Sequence, residues 1–253
     1  MESKGGVSVV DPNPVRLRMR DAAIGFDPES PLIEGLNLEV RAGEIVGLTG
    51  RSGIGKTTLL RTAAGLVQPL SGSVECCCTS TTRAEKGAIG LIPQRLGLVQ
   101  HQTVGYNVLM GALTEASFLQ TALSLPSKKM RDETRDVIDE VGLADKTLES
   151  VNRLSGGQQR RVAIARAMLQ EPDLLLADEC LGELDAETAR GIIELFRHMA
   201  EDHRMAILLV DHNPVRARTF CDRVLQLRGR RLIPFEEDEE KKPSLPLIEE
   251  ASS

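Results

Sequence analysis

Aromatic side chains are scarce in this chain. Its 253 residues include no tryptophan, one tyrosine and five phenylalanines, so aromatics make up only 2% of the composition. Any core must therefore be built mostly from leucine, isoleucine, valine and alanine. Because 41% of the residues are hydrophobic, the chain can still bury a sizeable core. The length predicts one large domain, or one domain with subdomains.

Long apolar runs are also missing from the sequence. The first 15 residues, MESKGGVSVVDPNPV, contain no apolar core of the signal-peptide type. No run approaches the roughly 18 apolar residues that a membrane-spanning helix requires. We therefore expect a cytoplasmic protein, which another chain must hold in place if it works at a membrane.

The sequence has no excess of positive charge. It contains 31 basic and 37 acidic residues, for a formal net charge of −6. Residues 234–253 hold seven acids and two lysines, so they contribute −5 and leave −1 for the rest of the chain. Nucleic-acid binders more often have a basic face, and the composition therefore predicts no nucleic-acid partner. We expect the acidic tail, residues 233–253, to be solvated and disordered.

The five cysteines lack the spacing of a metal-binding or disulfide framework. Cys76, Cys77 and Cys78 are adjacent, Cys180 and Cys221 are isolated, and no CxxC pair occurs. Cysteine-based zinc sites and disulfide scaffolds are therefore not expected. The pattern favours buried free thiols in a reducing compartment.

Alternating strand and helix patterns run along the chain. Buried or half-buried strands are predicted at residues 15–19, 36–40, 44–49, 72–78, 87–92, 174–178 and 205–210. Helices are predicted from Lys56 to about Gly65, from Ser155 to a stop at Pro172, and from Ala186 to about Asp202. Residues 103–152 look mainly helical. This order predicts an α/β fold with a mainly parallel sheet and a helical insertion between its two halves.

A phosphate-binding loop is predicted at residues 50–57, which read GRSGIGKT. The segment fits GxxxxGK[ST], and it follows a predicted strand and precedes a predicted helix. Backbone N–H groups of such a loop turn inward around phosphate oxygens, and the helix N-terminus adds its positive dipole end. A chance glycine-rich turn is the alternative, but the strand–loop–helix context favours a nucleotide site. The predicted nucleotide-binding residues are Gly50, Arg51, Ser52, Gly53, Ile54, Gly55, Lys56, Thr57 and Thr58.

Lys56 and Thr57 have more specific predicted roles. Two acids further along the chain are predicted to belong to the same site. Lys56 would reach the β- and γ-phosphates of ATP, and Thr57 would bind Mg²⁺. Asp178 and Glu179 end the apolar run DLLLADE, so they would lie where α/β sheets bind their ligands. Asp178 is predicted to hold Mg²⁺ directly or through water, and Glu179 to act as general base. A solvated pair of acids at a strand end is the alternative.

A second anion-binding helix start is predicted at LSGGQQ. Ser155, Gly156, Gly157 and Gln158 open a basic helix with free N–H groups, little side-chain bulk and a hydroxyl cap. One ATP needs only one phosphate loop. A second phosphate-binding helix therefore suggests that it binds the nucleotide of a partner subunit.

With these three motifs the chain resembles the nucleotide-binding subunits of ABC transporters over about residues 15–232. The resemblance implies a P-loop NTPase core, an antiparallel β subdomain, a helical subdomain at about residues 95–153, and a flexible N-terminus at residues 1–14. It also implies ATP and Mg²⁺ as cofactors, and catalytic roles for Lys56, Gln94, Glu179 and His212.

Four single residues take their predicted roles from this resemblance. Phe26 would stack on adenine, although a core phenylalanine on a strand is the alternative. Gln94 would sense Mg²⁺ and the membrane partner. His212 would contact the γ-phosphate, although a lone histidine is usually structural or exposed. Asp185 would lie in the loop that crosses to the other subunit's site.

Two residues depart from the family pattern. Cys180 stands where most relatives have proline, and Gly182 where most have serine. Proline would fix φ and stiffen the turn that carries the base, whereas glycine adds freedom and removes a hydroxyl. We therefore expect slower or less tightly coupled hydrolysis, but not inactivity.

The resemblance also implies partners. Two copies, or this chain and a similar one, would pair head to tail, with each ATP between Lys56 of one chain and Ser155 of the other. Integral membrane permease subunits would hold the pair at the inner face of the cell membrane, with a solute-binding protein as an indirect partner. The segment from residue 103 to the LLLADE strand resembles the ATPases of phosphonate importers. An exporter ATPase, a soluble ABC-type ATPase that serves no transporter and a non-catalytic nucleotide-binding regulator are the alternatives.

Overall fold

A computed structural model describes residues 13–76, 79–80, 88–114, 126–182 and 184–236. The strands are β1 (Val15–Ile24), β2 (Ile33–Arg41), β3 (Ile45–Gly50), β4 (Ser71–Cys76), β5 (Thr79–Ser80), β6 (Ile89–Ile92), β7 (Leu174–Asp178), β8 (Ala206–Val210), β9 (Arg223–Arg228) and β10 (Arg231–Pro234). The helices are α1 (Lys56–Ala63), α2 (Val104–Leu109), α3 (Lys128–Glu140), α4 (Gly156–Leu169), α5 (Ala186–Glu201) and α6 (Pro214–Arg218). Short 3-10 helices span Met110–Thr114, Ala144–Lys146 and Val151–Arg153.

A mainly parallel sheet forms the centre of the fold. Its order within the described residues is β10-β9-β3-β8-β7-β6, and all of its pairs are parallel except the hairpin of β9 and β10. Strands β7 and β8 are buried along their whole length, as expected for apolar runs in a sheet covered on both faces. Their register pairs Asp178 with Val210, so both strands end at the same edge.

An antiparallel sheet lies beside the central one. Its order in the described part of the chain is β2-β1-β4-β5. Side chains of β1 such as Leu17 and Met19 are buried and pack with Val46 and Leu48 of the central sheet. Alternation of side chains along each strand is what divides the hydrophobic core into two layers.

The helices of the insertion cover the opposite face of the central sheet. Leu175 and Ala177 of β7 point into a core with Val104 and Val108 of α2 and Ile138 of α3, whereas Leu174 and Leu176 pack with α1 and the antiparallel sheet. The mainly helical character predicted for residues 103–152 holds for α2, α3 and the short 3-10 helices. Among the described residues, no helix is both long and apolar enough to cross a bilayer.

Local capping explains where the helices begin. Ser127 accepts a hydrogen bond from the Met130 N–H at the start of α3, and Asp185 accepts from two backbone N–H groups at the start of α5. Such caps satisfy donors that the first turn of a helix leaves unpaired.

The α/β class, the parallel core, the antiparallel sheet and the helical insertion are as predicted. Cys76, Cys180 and Cys221 are buried, as expected, whereas Cys77 and Cys78 lie outside the described residues. The predicted flexible N-terminus and acidic tail fall mostly on residues 1–12 and 237–253, which also lie outside them.

Candidate active site

The phosphate loop joins β3 to α1 at the edge where the parallel strands end. Gly53 and Gly55 have φ of +75° and +114°, a region that L side chains rarely adopt. Arg51, Ser52 and Gly53 are exposed, Ile54 and Thr58 are half-buried, and Lys56 begins α1. The glycine spacing is therefore what allows the chain to turn tightly into the helix.

Lys56 lies inside this loop. Only 4% of the residue is exposed, and its Nζ donates to the carbonyl oxygens of Gly50 at 2.9 Å and Arg51 at 3.0 Å. Burial lowers the pKa of the ammonium group, although Glu179 and Asp178 act in the opposite sense. An ammonium group has three donors, so one donor remains for an incoming anion.

Thr57 and Asp178 meet directly across 121 residues of sequence. The Thr57 hydroxyl donates to Asp178 Oδ2 at 2.9 Å. Asp178 is 5% exposed, and its Oδ1 is buried with no hydrogen-bond partner among the described residues. Burial raises the pKa of this carboxyl group, while the Thr57 hydrogen bond opposes the rise.

The unpaired oxygen of Asp178 is evidence that Thr57 and Asp178 could bind a cation. An unsatisfied buried acceptor is rare in folded proteins and calls for an explanation such as an ion. A carboxylate oxygen beside a hydroxyl oxygen is the kind of ligand set that Mg²⁺ prefers, usually together with substrate phosphates. Thr57 and Asp178 therefore fit Mg²⁺.

Two other predicted site residues, Gln94 and His212, contact the same carboxylate oxygen of Glu179. Gln94 Nε2 donates to Glu179 Oε2 at 2.7 Å, and His212 Nε2 lies 2.8 Å from the same oxygen. These side chains come from the ends of β6, β7 and β8, which are neighbours in the sheet. Within the described chain no group hydrogen-bonds Glu179 Oε1, which leaves that oxygen available to a substrate or a water molecule.

The backbone at Glu179 is strained. Its φ is +55°, which costs a non-glycine residue about 1–2 kcal/mol. Two hydrogen bonds hold the turn, from Glu179 N to Val210 O at 3.1 Å and from Gly182 N to Glu179 O at 3.3 Å. Strain of this kind is common where a side chain must be aimed for function.

An ion pair that the sequence analysis missed supports the loop of His212. Arg216 donates twice to the buried Asp211, from Nε to Oδ2 at 2.9 Å and from Nη2 to Oδ1 at 2.7 Å. Asp211 Oδ1 also accepts from the Asn213 N–H at 2.9 Å. The only available signal was an acid directly before His212 with an arginine five residues later.

The second predicted anion site opens α4. Ser155 and Gln158 form a capping box, with Ser155 N donating to Gln158 Oε1 at 3.0 Å and Gln158 N donating to Ser155 Oγ at 3.3 Å. Ser155 and Gly156 are exposed. Among the described residues, no hydrogen bond or ion pair joins this segment to the phosphate loop of its own chain.

Gly157 has a packing role that the sequence analysis missed. A Cβ at this position would lie 2.5 Å from Thr188 Cγ2 of α5, which is far inside contact distance. The second glycine of SGG therefore permits α4 and α5 to approach each other closely, in addition to any role in anion binding.

Asp185 makes local contacts. It caps α5 through the N–H groups of Glu187 and Thr188, and it accepts from the Thr188 hydroxyl at 2.6 Å. The side-chain hydrogen bond from Thr188, followed by that from its backbone, lowers the pKa of the Asp185 carboxyl group. Thr188 therefore contacts Asp185 through its hydroxyl and lies beside the buried Gly157 through its methyl group.

Phe26 lies outside the strands and is 73% exposed. It follows β1, which ends at Ile24. The alternative that Phe26 is a core residue on a strand is therefore wrong, because its ring is in solvent. Its predicted role in stacking on adenine stays a prediction.

The two departures from the family pattern lie in the turn after Glu179. Cys180 is 2% exposed, and burial raises the pKa of its thiol to about 12, so the thiol stays protonated near neutral pH. Among the described residues, a Cβ on Gly182 would meet only Glu179 O, at 3.5 Å. Arg160 Nη2 donates to Gly182 O at 2.6 Å and fixes the end of this turn.

Comparison with known proteins supports the same interpretation. Residues 33–182 match the ABC transporter family model. The chain is 37% identical over 221 residues to a phosphonates import ATP-binding protein, PhnC 2 of Cupriavidus metallidurans, covering 85% of this chain and 76% of the relative. It is 38% identical over 217 residues to an aliphatic sulfonates import ATP-binding protein, SsuB 2 of Rhizobium johnstonii, covering 86% and 79%.

Solved structures have the same fold. CbiO1 from Clostridium perfringens, part of an ABC transporter complex, gives a TM-score of 0.76 at 24% identity and covers 87% of each chain. A dimeric, post-hydrolysis ATP-binding cassette with ADP and phosphate gives 0.73 at 24% identity, covering 87% of this chain and 99% of that one. The chain thus belongs to the ABC transporter family and is an ABC-type ATPase.

Proposed function

We propose that this ATPase powers an importer of a small solute, with phosphonates as the first substrates to test. The proposal extends to this chain what the names of its relatives state, and residues 15–232 are the proposed ATPase domain. The convergence of Gln94 and His212 on Glu179, beside the Thr57–Asp178 pair, is the observation that carries the catalytic part. The solute itself would contact other subunits.

ATP binding would use the phosphate loop. Backbone N–H groups of residues 50–57 surround the phosphates, and Lys56 turns its free donor toward the β- and γ-phosphates. Phe26, exposed beside β1, supplies a ring for the adenine. Thr57 and Asp178 would hold Mg²⁺, with Gln94 as a further candidate ligand, and the bound ion would offset the negative charge of the phosphates.

Hydrolysis would depend on Glu179. With Oε2 engaged by Gln94 and His212, Oε1 accepts a proton from the water molecule that attacks the γ-phosphorus. A positioned general base contributes about 10²–10⁴-fold to a rate. His212 is 48% exposed in its side chain, so it can leave Glu179 and donate to a γ-phosphate oxygen.

The second half of the site would come from another subunit. Residues 155–158 carry an exposed helix start that is not bonded to the phosphate loop of the same chain, and a dimeric cassette with ADP and phosphate has the same fold. We propose a head-to-tail pair in which Ser155 of one chain meets the nucleotide on Lys56 of the other. Closure then depends on ATP because the ligand contacts both chains only in the closed state.

Coupling to transport would pass through the helical insertion. Gln94 bonds to the catalytic glutamate and directly precedes this insertion. A movement of the insertion would therefore shift Gln94 and alter its hydrogen bond to Glu179. The expected partner at residues 95–153 is a short helix of a membrane permease, which would hold the ATPase at the inner face of the cell membrane. Co-purification with a polytopic membrane protein would support this, whereas a fully active enzyme without such a partner would favour the soluble alternative.

The test of the catalytic proposal is Glu179→Gln. The amide keeps the shape but cannot accept the proton, so we expect turnover to fall at least 100-fold while ATP binding persists and a dimer accumulates on size-exclusion chromatography. Glu133→Gln, which alters a half-buried carboxylate on α3 outside the predicted ATP site, is the matched control. Normal hydrolysis by the Glu179 variant would exclude the general-base assignment.

A further inference from the structure

A cluster of two histidines and a glutamate lies away from the ATP site. Glu140 is the last residue of α3, His198 lies in the last turn of α5, and His203 follows that helix. One potential ligand atom from each lies within 4.8 Å of the others. His203 precedes β8, which starts at Ala206, whereas the catalytic His212 follows the end of β8. The cluster is therefore at the opposite edge of the sheet.

The imidazole of His198 is held from both sides. Its Nε2 lies 2.7 Å from Glu140 Oε1, and its Nδ1 contacts Asp202 Oδ2. A carboxylate on one ring nitrogen orients the other nitrogen, which is the usual arrangement around a metal-binding histidine. The rings of His198 and His203 meet edge to face, with centroids 5.3 Å apart, so a nitrogen of each can face the same point.

The surroundings favour a cation. A cavity of about 210 Å³ opens beside His203, between the helical insertion and the core, and its lining includes Lys129 and four carboxylates, Glu133, Asp136, Glu140 and Glu171. Lys129 pairs with Glu133 at 3.3 Å, so most of the acidic charge of the lining is not neutralised by this lysine.

We infer that Glu140, His198 and His203 bind a first-row divalent transition-metal ion such as Zn²⁺, with water in the remaining position and Asp202 orienting His198. Two imidazoles and one carboxylate suit Zn²⁺, Ni²⁺ or Cu²⁺, whereas Mg²⁺ prefers an all-oxygen site. The ion joins α3 of the helical insertion to α5 of the ATPase core. No cysteine takes part, which is why cysteine spacing gave no sign of it.

Calorimetric titration of the full chain with Zn²⁺ tests this inference. Millimolar Mg²⁺ is present throughout to occupy the catalytic edge. We expect one ion per chain, His198→Ala and His203→Ala each weakening binding by more than about tenfold, and Asp202→Asn weakening it by about 10–100-fold as an orienting group. His101→Ala, which removes an exposed histidine elsewhere, is the matched control and leaves the affinity unchanged.

A second measurement locates the ion independently of any loss of folding. Co²⁺ in the same site gives visible absorption bands that His203→Ala abolishes and His212→Ala preserves. Absence of saturable Zn²⁺ binding overturns the inference. So does binding that survives both cluster variants, or binding that His212→Ala removes, since the ion would then occupy the catalytic edge.

Discussion

The close approach of α4 and α5 at Gly157 makes a quantitative prediction. In Gly157→Ala the new Cβ would lie 2.5 Å from Thr188 Cγ2. Thr188 cannot easily rotate away, because its hydroxyl donates to Asp185 at 2.6 Å. Relieving such overpacking costs about 1–3 kcal/mol, whereas replacing glycine by alanine within a helix gains at most about 1 kcal/mol. We expect a net loss of about 0.5–2 kcal/mol in the free energy of unfolding.

Two further variants isolate the steric cause. Gly156→Ala places a Cβ 3.3 Å from Arg160 Nη1. The end of this long side chain needs to shift by only a few tenths of an ångström, which does not require it to leave Gly182 O, so stability should stay within about 0.5 kcal/mol of wild type. Thr188→Ser removes Cγ2 but keeps the hydroxyl. In the Gly157→Ala background it should restore stability, with a coupling energy of about 1 kcal/mol or more.

Urea unfolding measures these differences, provided that the m-value is the same for all variants. A Gly157→Ala variant as stable as wild type would exclude the steric clash, and so would failure of Thr188→Ser to rescue that variant. Loss of ATPase activity without loss of stability would instead assign Gly157 to nucleotide binding alone.

Three other changes have expected outcomes. Arg216→Ala leaves the buried Asp211 without its ion-pair partner. Because Arg216 is partly exposed, the free energy of unfolding should fall by about 2–3 kcal/mol, which is less than for a fully buried pair; an unchanged urea midpoint would contradict this. Burial raises the pKa of Asp178, so its ionised form destabilises the metal-free fold above the unfolded pKa of about 3.9 and not below it. Asp178→Asn should therefore raise the melting temperature of the metal-free chain at neutral pH and remove stabilisation by Mg²⁺, which adds about 2.7 kcal/mol at 100 times its Kd. Cys180→Pro combined with Gly182→Ser should speed hydrolysis or increase its cooperativity, because proline stiffens the turn after Glu179 and the space beside Gly182 admits a side chain; steady-state kinetics identical to wild type would exclude that effect.

Element type could be predicted well because the signals are local. The apolar runs of β7 and β8 and the glycine pattern before Lys56 each indicate a structure within a few residues. The boundaries were less certain: the predicted helix from Lys56 to about Gly65 ends at Ala63, and the strand predicted at residues 15–19 continues as β1 to Ile24. The capping box of Ser155 and Gln158 could have been identified from its spacing, although its partner in packing, Thr188, could not.

The sequence alone predicted the main strands and helices as far as β8, the phosphate loop and the two carboxylates at the end of β7, but it did not predict β9 or β10. These follow from hydrophobic period and backbone freedom, which act between near neighbours. The tertiary structure was needed to show that Gln94 and His212 both contact one oxygen of Glu179. It was also needed to show that α5 packs closely against Gly157 and that Glu140 lies beside two histidines. Those contacts depend on which strands are neighbours in the sheet and on how closely the helices pack, and local sequence specifies neither.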